Sequence, residues 1–453
     1  MSEPAPGPAA TLADWVSSVP PEAIPKHVRE RVAQVFLDAV ASALAGRHGD
    51  ETAQVESVAR MIAPGDEATV IGAQPLSRAG AALVNGYQVT AVTVCDVYRP
   101  ALCHVTPEVV PPVLAAASGR PFSGAEVVTA LAVGLETTVR IGRGLRYASF
   151  RERGWHAPGV IGPFGGAAAA GRLLALDAPR MRWAFGLAGS QAAGTFAHWG
   201  TPTIKFHQAR GAVAGLLAAT LAGEGFRASE EVLAHEDGGI LGTYSDGGDP
   251  GAIVADLGED WELERISLRL WPAASSIQSA VSAVFDLIAE HDVGPDDVER
   301  LTISLSEPTF RMHGEMGWET RFKALLSTRY TAAVVLHDRE CWLDQFEPAR
   351  IADPTIDQFA RNRISVVADD SVSATGAVAE VELRDGRRLS VHREVPKGDA
   401  DDPLSTEEIA GKFERAAFGL LPRARADEAL TQLLDIEAID DVAGLIALLG
   451  AEE

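Results

Sequence analysis

A mainly α protein, with a large all-helical domain and a smaller α+β domain, is predicted by three features of this 453-residue chain. Apolar residues recur at helical spacing through roughly the first 265 positions. Alternating apolar and polar runs are confined to a later segment, and helical spacing resumes after residue 405. The organisation implied is a helical domain over 1–265, an α+β domain over 266–404, and C-terminal helices over 405–453 that return to the first domain.

Residues 25–46, PKHVRERVAQVFLDAVASALAG, open with Pro25 at a first-turn position and stop at Gly46. Val28, Val32, Val35, Phe36, Ala39, Val40, Ala43 and Leu44 share one face of that helix. Similar patterns cover 124–145, 159–175, 180–196 and 207–224. Several are rich in alanine and glycine, as in GPFGGAAAAGRLLAL and GAVAGLLAATLAG. Small residues let helix axes approach, so a compact bundle with fully buried helices is expected. Near Arg265 the pattern changes. LTISLS at 301–306 and ISVVAD at 364–369 read as strands, and EVELRDGRRLSVHREV at 380–395 reads as a hairpin about Asp385-Gly386. Helical stretches at 275–290 and 326–338 lie among these strands, and others follow at 405–417, 425–435 and 439–449. The acidic GDADDPLSTEE at 398–408 reads as a hinge leading into a helix, with Ser405 as cap and Glu408 three residues on.

Composition narrows the function. A net charge of −24 argues against nucleic acid as partner, because phosphate binding needs a basic surface. An anionic small molecule stays possible, since a pocket sets its own local field. The N-terminal MSEPAPGPAATLADW lacks a basic region followed by an apolar core, so no signal peptide is read there. No apolar run reaches membrane-spanning length. Cys95, Cys103 and Cys341 are too few for a disulfide framework, and Cys341 is read as part of an unrelated helix. A cytoplasmic protein with no membrane partner is expected.

The stretch 93-TVCDVYRPALCH-104 holds two cysteines, an aspartate and a histidine. Its spacing fits neither a paired C-x-x-C site nor HExxH, and adjacent Cys103 and His104 are awkward ligands for one ion. No metal is assigned. A polar loop with small buried cysteines is the plainer alternative. His104 precedes the helix read in PPVLAAASG, His156 lies in RGWHAPG ahead of an Ala-rich helix, and His207 in TIKFHQARG ahead of another. A lone histidine is usually structural, but three at helix starts argue for function. Helix N-termini attract carboxylates, and neutral imidazole serves as acid or base near pH 7. Taken alone, Arg269 in LRLWPAASS reads as a surface charge and Tyr330 in LLSTRYTAAVV as a core residue. A cleft between the two domains would combine them with the histidines.

The chain also resembles the MmgE/PrpD family along nearly its whole length. FLDAVASALAG is similar to the family's opening helix, and AALVNGYQVTAVTVCDVY at 81–98 to its A-x-x-NG-x-x-x-H-x-x-D-F-D-D-[ST] segment. GWHAPGVIGPFGGAAAAGRLLALD at 154–177 resembles its GxHPT…GxFGAAAAAAxLLGLD block. AGSQAAGTF, HQARGAVAGLLAATLAGEGF, LWPAASS and DPLSTEEIAGKF follow further blocks in the same order. The resemblance implies a helical domain plus an α+β domain, an active site between them, a homodimer, no metal and no organic cofactor. It also implies carboxylate substrates and proton transfer at carbon beside a carboxylate.

Carried over on this resemblance, His104 matches the histidine closing the acidic loop, His156 the GxH histidine, Tyr330 a tyrosine of the second-domain helix, and Asp96 the second aspartate of DFDD. Other positions depart: Thr93, Cys95 and Val97 replace polar loop residues, Thr90 an upstream histidine, and Ile204 a lysine, with Lys205 one residue later. Arg269 stands for a lysine and Gln278 for a histidine. The expectation is a cofactor-independent lyase, a dehydratase or decarboxylase, acting on a carboxylic acid that differs from the usual citrate-type substrate. His104, His156, Tyr330 and Asp96 are the candidate catalytic residues; Lys205, Arg269, His207 and Gln278 are the candidates for binding substrate. An epimerase and a catalytically silent ligand-binding relative are the alternatives.

Overall fold

The computed structural model describes residues 6–451, so the N-terminal reading falls in part on residues outside the described ones. The chain divides into two units, Met1–Ala91 with Cys95–Ile266 and Thr406–Glu453, and Val92–Val94 with Ser267–Ser405. Among the described residues no helix is long and apolar enough to cross a membrane.

The first unit is helical. Its central elements are α1 (Lys26–Ala45), α2 (Arg78–Ala91), α3 (Thr106–Ala117), α4 (Gly124–Gly144), α5 (Ala157–Leu173) and α6 (Thr203–Gly223). Ser123 caps α4 in a capping box with Glu126, as a serine three residues before a glutamate does. Helix α5 is buried along its whole length apart from Arg172. It packs on α3, α4 and α6, and glycine sets those distances. A Cβ at Gly165 would fall 1.9 Å from the Thr138 hydroxyl, and one at Gly215 2.8 Å from the main chain of Gly166 and Ala167. The helix read over 180–196 runs instead from Ala178 to Gly189. Beyond it Gly194 takes φ 141°, which glycine alone adopts readily, and the chain turns to run beside residues 154–159.

A buried ion pair draws the C-terminal segment onto this unit. In α9 (Thr406–Ala417), Lys412 places Nζ 2.6 Å from Asp38 Oδ1 of α1, with both side chains fully buried. A second latch is Arg140 on α4. It lies 2.5 Å from Glu136 and donates to the carbonyls of Ala255 (2.6 Å) and Asp260, while Glu136 accepts from the N–H groups of Glu262 and Leu263. Charge-assisted bonds of this kind fasten the segment 255–263 that follows a short helix at Pro250–Val254.

The second unit is α+β. Strands β1 (Val298–Leu305), β2 (Ile364–Ala368), β3 (Ala377–Leu383) and β4 (Arg388–Arg393) form a sheet in the order β2-β1-β3-β4. Strand β1 is parallel to β2 and antiparallel to β3. The register pairs Leu301, Ile303 and Leu305 with Val381, Ala379 and Ala377, so one face is apolar across β1 and β3. Helix α7 (Gln278–His291) covers it from β3 and β4, and α8 (Thr328–Asp338) packs on α7. The hairpin turns at Asp385-Gly386 with Gly386 at φ 88°. Cys341 follows α8 in the link to the next turn and is in no helix.

The glycine contacts predict opposite outcomes for one chemical change. Gly215→Ala should lower stability by about 1–3 kcal/mol, because neither backbone it meets can yield. Gly411→Ala in α9, where a Cβ meets nothing within 4 Å, should raise it by about 0.5–1 kcal/mol. Denaturant midpoints of the two variants test the pair.

Candidate active site

The stretch from Thr93 to His104 is the joint that leads into α3. Tyr98 and Cys103 form an antiparallel bridge, with N–H to O distances of 2.7 and 3.1 Å, so the chain reverses within six residues. The reversal brings Asp96 beneath the start of α3. Its buried carboxylate accepts from the N–H groups of Val105 (2.8 Å) and Thr106 (3.1 Å) and from the Thr106 hydroxyl. These are orphan donors of a helix N-terminus, satisfied here by an acid from upstream. Burial pushes the Asp96 carboxyl up, and the three bonds oppose that shift.

The main-chain carbonyl of Asp96 lies 2.6 Å from Nδ1 of His104. A carbonyl only accepts, so Nδ1 carries the hydrogen, and Nε2 is the basic nitrogen of the neutral ring. The helix begins at Thr106, ahead of the PPVLAAASG read as its start, and His104 stands two residues before it.

His156 occupies the N-cap position of α5. Its N–H donates to Gly194 O (3.0 Å), and Phe196 and Ala193 return bonds to Gly154 O and Gly159 O, so the 190–196 loop is stitched beside it. His207 lies within α6, because that helix begins at Thr203 and not after the histidine. The two rings meet with Nδ1 3.2 Å from Nδ1. A Cβ at Gly194 would stand 2.9 Å from His207 Nδ1, so this glycine leaves room for the ring.

Burial pushes His156 well below the ordinary histidine range, with help from His207, His104 and Arg151. Burial likewise takes His207 down to about 4, with His198 and Arg210 adding to it. Both rings are therefore neutral at pH 7. Facing through Nδ1, they share one hydrogen: one ring keeps a basic Nε2 and the other an Nε2–H. Two identical side chains thus present one acceptor and one donor. Arg151 lies 3.5 Å above the Phe196 ring, whose edge faces His156. The buried Lys205, two residues before His207, donates from Nζ to Ala91 O.

The remaining candidates lie in the second unit. Arg269, read alone as a surface charge, is buried, since its Nη1 donates to Ala273 O (3.1 Å) as the chain turns through WPAASS. Gln278, at the start of α7, donates to Trp271 O (3.0 Å) and to the same Ala273 O (2.9 Å). Its Oε1 is buried without a hydrogen-bond partner. Tyr330 donates its hydroxyl hydrogen to Gln345 O (2.6 Å) between Trp318 and Phe346, and burial pushes its phenol up. Thr93 holds φ 62°, a strained value for a β-branched residue, and its hydroxyl is buried and unpaired.

Arg151 and His198 were not read from the sequence as site residues. The signal available for His198 was TFAHWGT, an aromatic–histidine cluster between Gly194 and Gly200. Its ring is 5.5 Å from that of His207. Among the described residues no three His, Cys, Asp or Glu side chains converge as a metal ion requires.

A helical unit with a paired His156 and His207, followed by an α+β unit, agrees with the family matches along the chain. The MmgE/PrpD N-terminal domain matches residues 10–251 and the MmgE/PrpD C-terminal domain residues 271–436. The chain belongs to the MmgE/PrpD family. It is 28% identical to the cis-aconitate decarboxylase-like protein oryM of Aspergillus oryzae, over 98% of this chain and 97% of that protein. It is 26% identical to a cis-aconitate decarboxylase of Aspergillus terreus over 98% and 96%, and 25% to the human cis-aconitate decarboxylase over 93% and 91%. The epimerase alternative finds no support among these relatives.

The buried rings predict a pH window for stability. Unfolded, a histidine takes up its proton near pH ~6.5; folded, His207 does so only near 4, as does the buried His313 of the second unit. Below pH ~6.5 the unfolded chain binds more protons, so stability present above that value is lost as pH falls towards about 4. Urea midpoints measured from neutral pH downwards should fall in that window, and His207→Asn should flatten part of the slope.

Proposed function

We propose that this chain is a lyase that releases CO₂ from a carboxylic acid carrying a second, activating carboxylate, using its own side chains and no cofactor. The observation that carries the reading is the neutral His156–His207 pair, meeting through Nδ1 at 3.2 Å. It stands in a chain similar from end to end to proteins named cis-aconitate decarboxylase.

Decarboxylation breaks a carbon–carbon bond and leaves its electron pair on carbon. The protein must hold the retained carboxylate, accept charge as it spreads into the adjacent group, and protonate the carbanion. Lys205 offers a buried cation for the carboxylate. The ring of the pair that bears Nε2–H supplies the proton. His104, with Nε2 set as acceptor by the Asp96 carbonyl, takes the proton of an acidic C–H where the substrate must lose one first. Asp96 acts through position, holding the start of α3 and the tautomer of His104.

The roles of Arg269 and Gln278 in carboxylate recognition, and of Tyr330 in proton transfer, rest on family resemblance alone. Thr93, Cys95, Val97 and Ile204 replace polar or charged family positions. A charge-assisted contact is worth about 1.5–3 kcal/mol, so these losses favour an acid less polar than a tricarboxylate.

Proton NMR in D₂O with cis-aconitate, 2-methylcitrate and less polar unsaturated acids tests the reading. The expected result is CO₂ release with one deuterium entering the product. Water loss without CO₂ would make the chain a dehydratase, and binding of an acid with no turnover would make it a silent relative. His156→Asn should lower kcat by about 10²-fold or more while ligand affinity persists.

A further inference from the structure

Resting on the lyase reading, decarboxylation makes a demand that dehydration does not. When R–COO⁻ becomes R–H and CO₂, the carbon–carbon pair takes a proton from the protein and CO₂ leaves without returning one. Each turnover therefore leaves the protein one proton short, and the deficit is refilled from water. Dehydration takes a proton from carbon and returns it to the departing hydroxide, so it is neutral overall.

His156 is only 7% exposed and is poorly placed to be refilled directly. The rings that follow it lead outward. His207 touches it through Nδ1, and His198, an exposed residue of the 196–198 turn, sets its ring edge-on to His207 with centroids 5.5 Å apart. Imidazole suits such a path because it takes a proton at one nitrogen and releases another from the opposite one. We infer that His198 is the outer station of a proton relay that refills His156 through His207 once in each turnover.

The surroundings favour passage over storage. The charged and titratable groups facing these rings are Arg151, Arg210 and His104, with Tyr244 bonded to Ala192 O in the same wall. Arg210 donates to the carbonyls of Gln191, Gly159 and Ala193, which fixes its charge beside the loop. Among the described residues, the neighbours that shift His156 and His207 are histidines and arginines. His198 does not touch the reacting carbon in this scheme; it acts through His207.

Steady-state CO₂ release by the parent and by His198→Asn, each in dilute buffer and in concentrated imidazole, tests the relay. In dilute buffer the variant should lose about ten-fold or more in kcat with KM and Tm unchanged, and imidazole should restore it. Equal kcat in dilute buffer, or a loss that imidazole leaves in place, overturns the relay while the lyase reading stands. A parent that releases no CO₂ from any acid of the panel overturns the lyase reading, and the relay with it.

Discussion

The contact on which the helical unit depends is main chain against main chain. Gly165 and Gly134 let α5 and α4 touch, and Gly166 and Gly215 do the same for α5 and α6. His156 stands at the N-cap position of α5 and His207 in an early turn of α6, so the glycine contacts also govern how near the two imidazoles come. A methyl group would have to push helices apart, because backbone has no rotamer to change. The 3.2 Å between nitrogens is thus inherited from packing farther along the same helices, with the loop at Gly194 closing over it.

Several buried charges inside this unit are held by partners. Asp96, Glu136, Arg140, Asp38 and Lys412 are buried, and each meets an opposite charge or main-chain groups. Glu108, in the first turn of α3, is different. Both its oxygens are buried without a hydrogen-bond partner, and its Cγ lies against Gly162 and Gly211. Burial pushes its carboxyl well above the ordinary carboxylate range, reinforced by Asp96. A second ionised carboxylate beside Asp96 would oppose the clasp that holds α3.

The elements were legible where a pattern is local. Helix α1 runs from Lys26 to Ala45 within the span its apolar face marks, and the Asp385-Gly386 hairpin forms where alternation and turn chemistry coincide. Ends were less legible. Ala192 and Ala193 continue the composition of a helix that stops at Gly189, because bonds to residues 154–159 outweigh propensity there. Histidine near helix starts singled out His156 and His207, whose rings meet, although α6 begins upstream of His207. The Nδ1 contact itself needs residues 156 and 207, and nothing in either neighbourhood announces the other. The Asp96 clasp spans ten residues with no periodic signature, and the burial of Arg269 follows from a turn that only the folded chain displays.

The Lys412–Asp38 pair has a consequence for the order in which the protein is made. Asp38 leaves the ribosome early and stays without its lysine until 374 further residues have been added. At about 5–20 residues per second that interval is roughly 20–75 s. Through it α1 carries a carboxylate whose buried lysine partner has not yet been made. The last helices then complete an interior that the first ones began, and chaperones have that window in which to act on the unfinished chain.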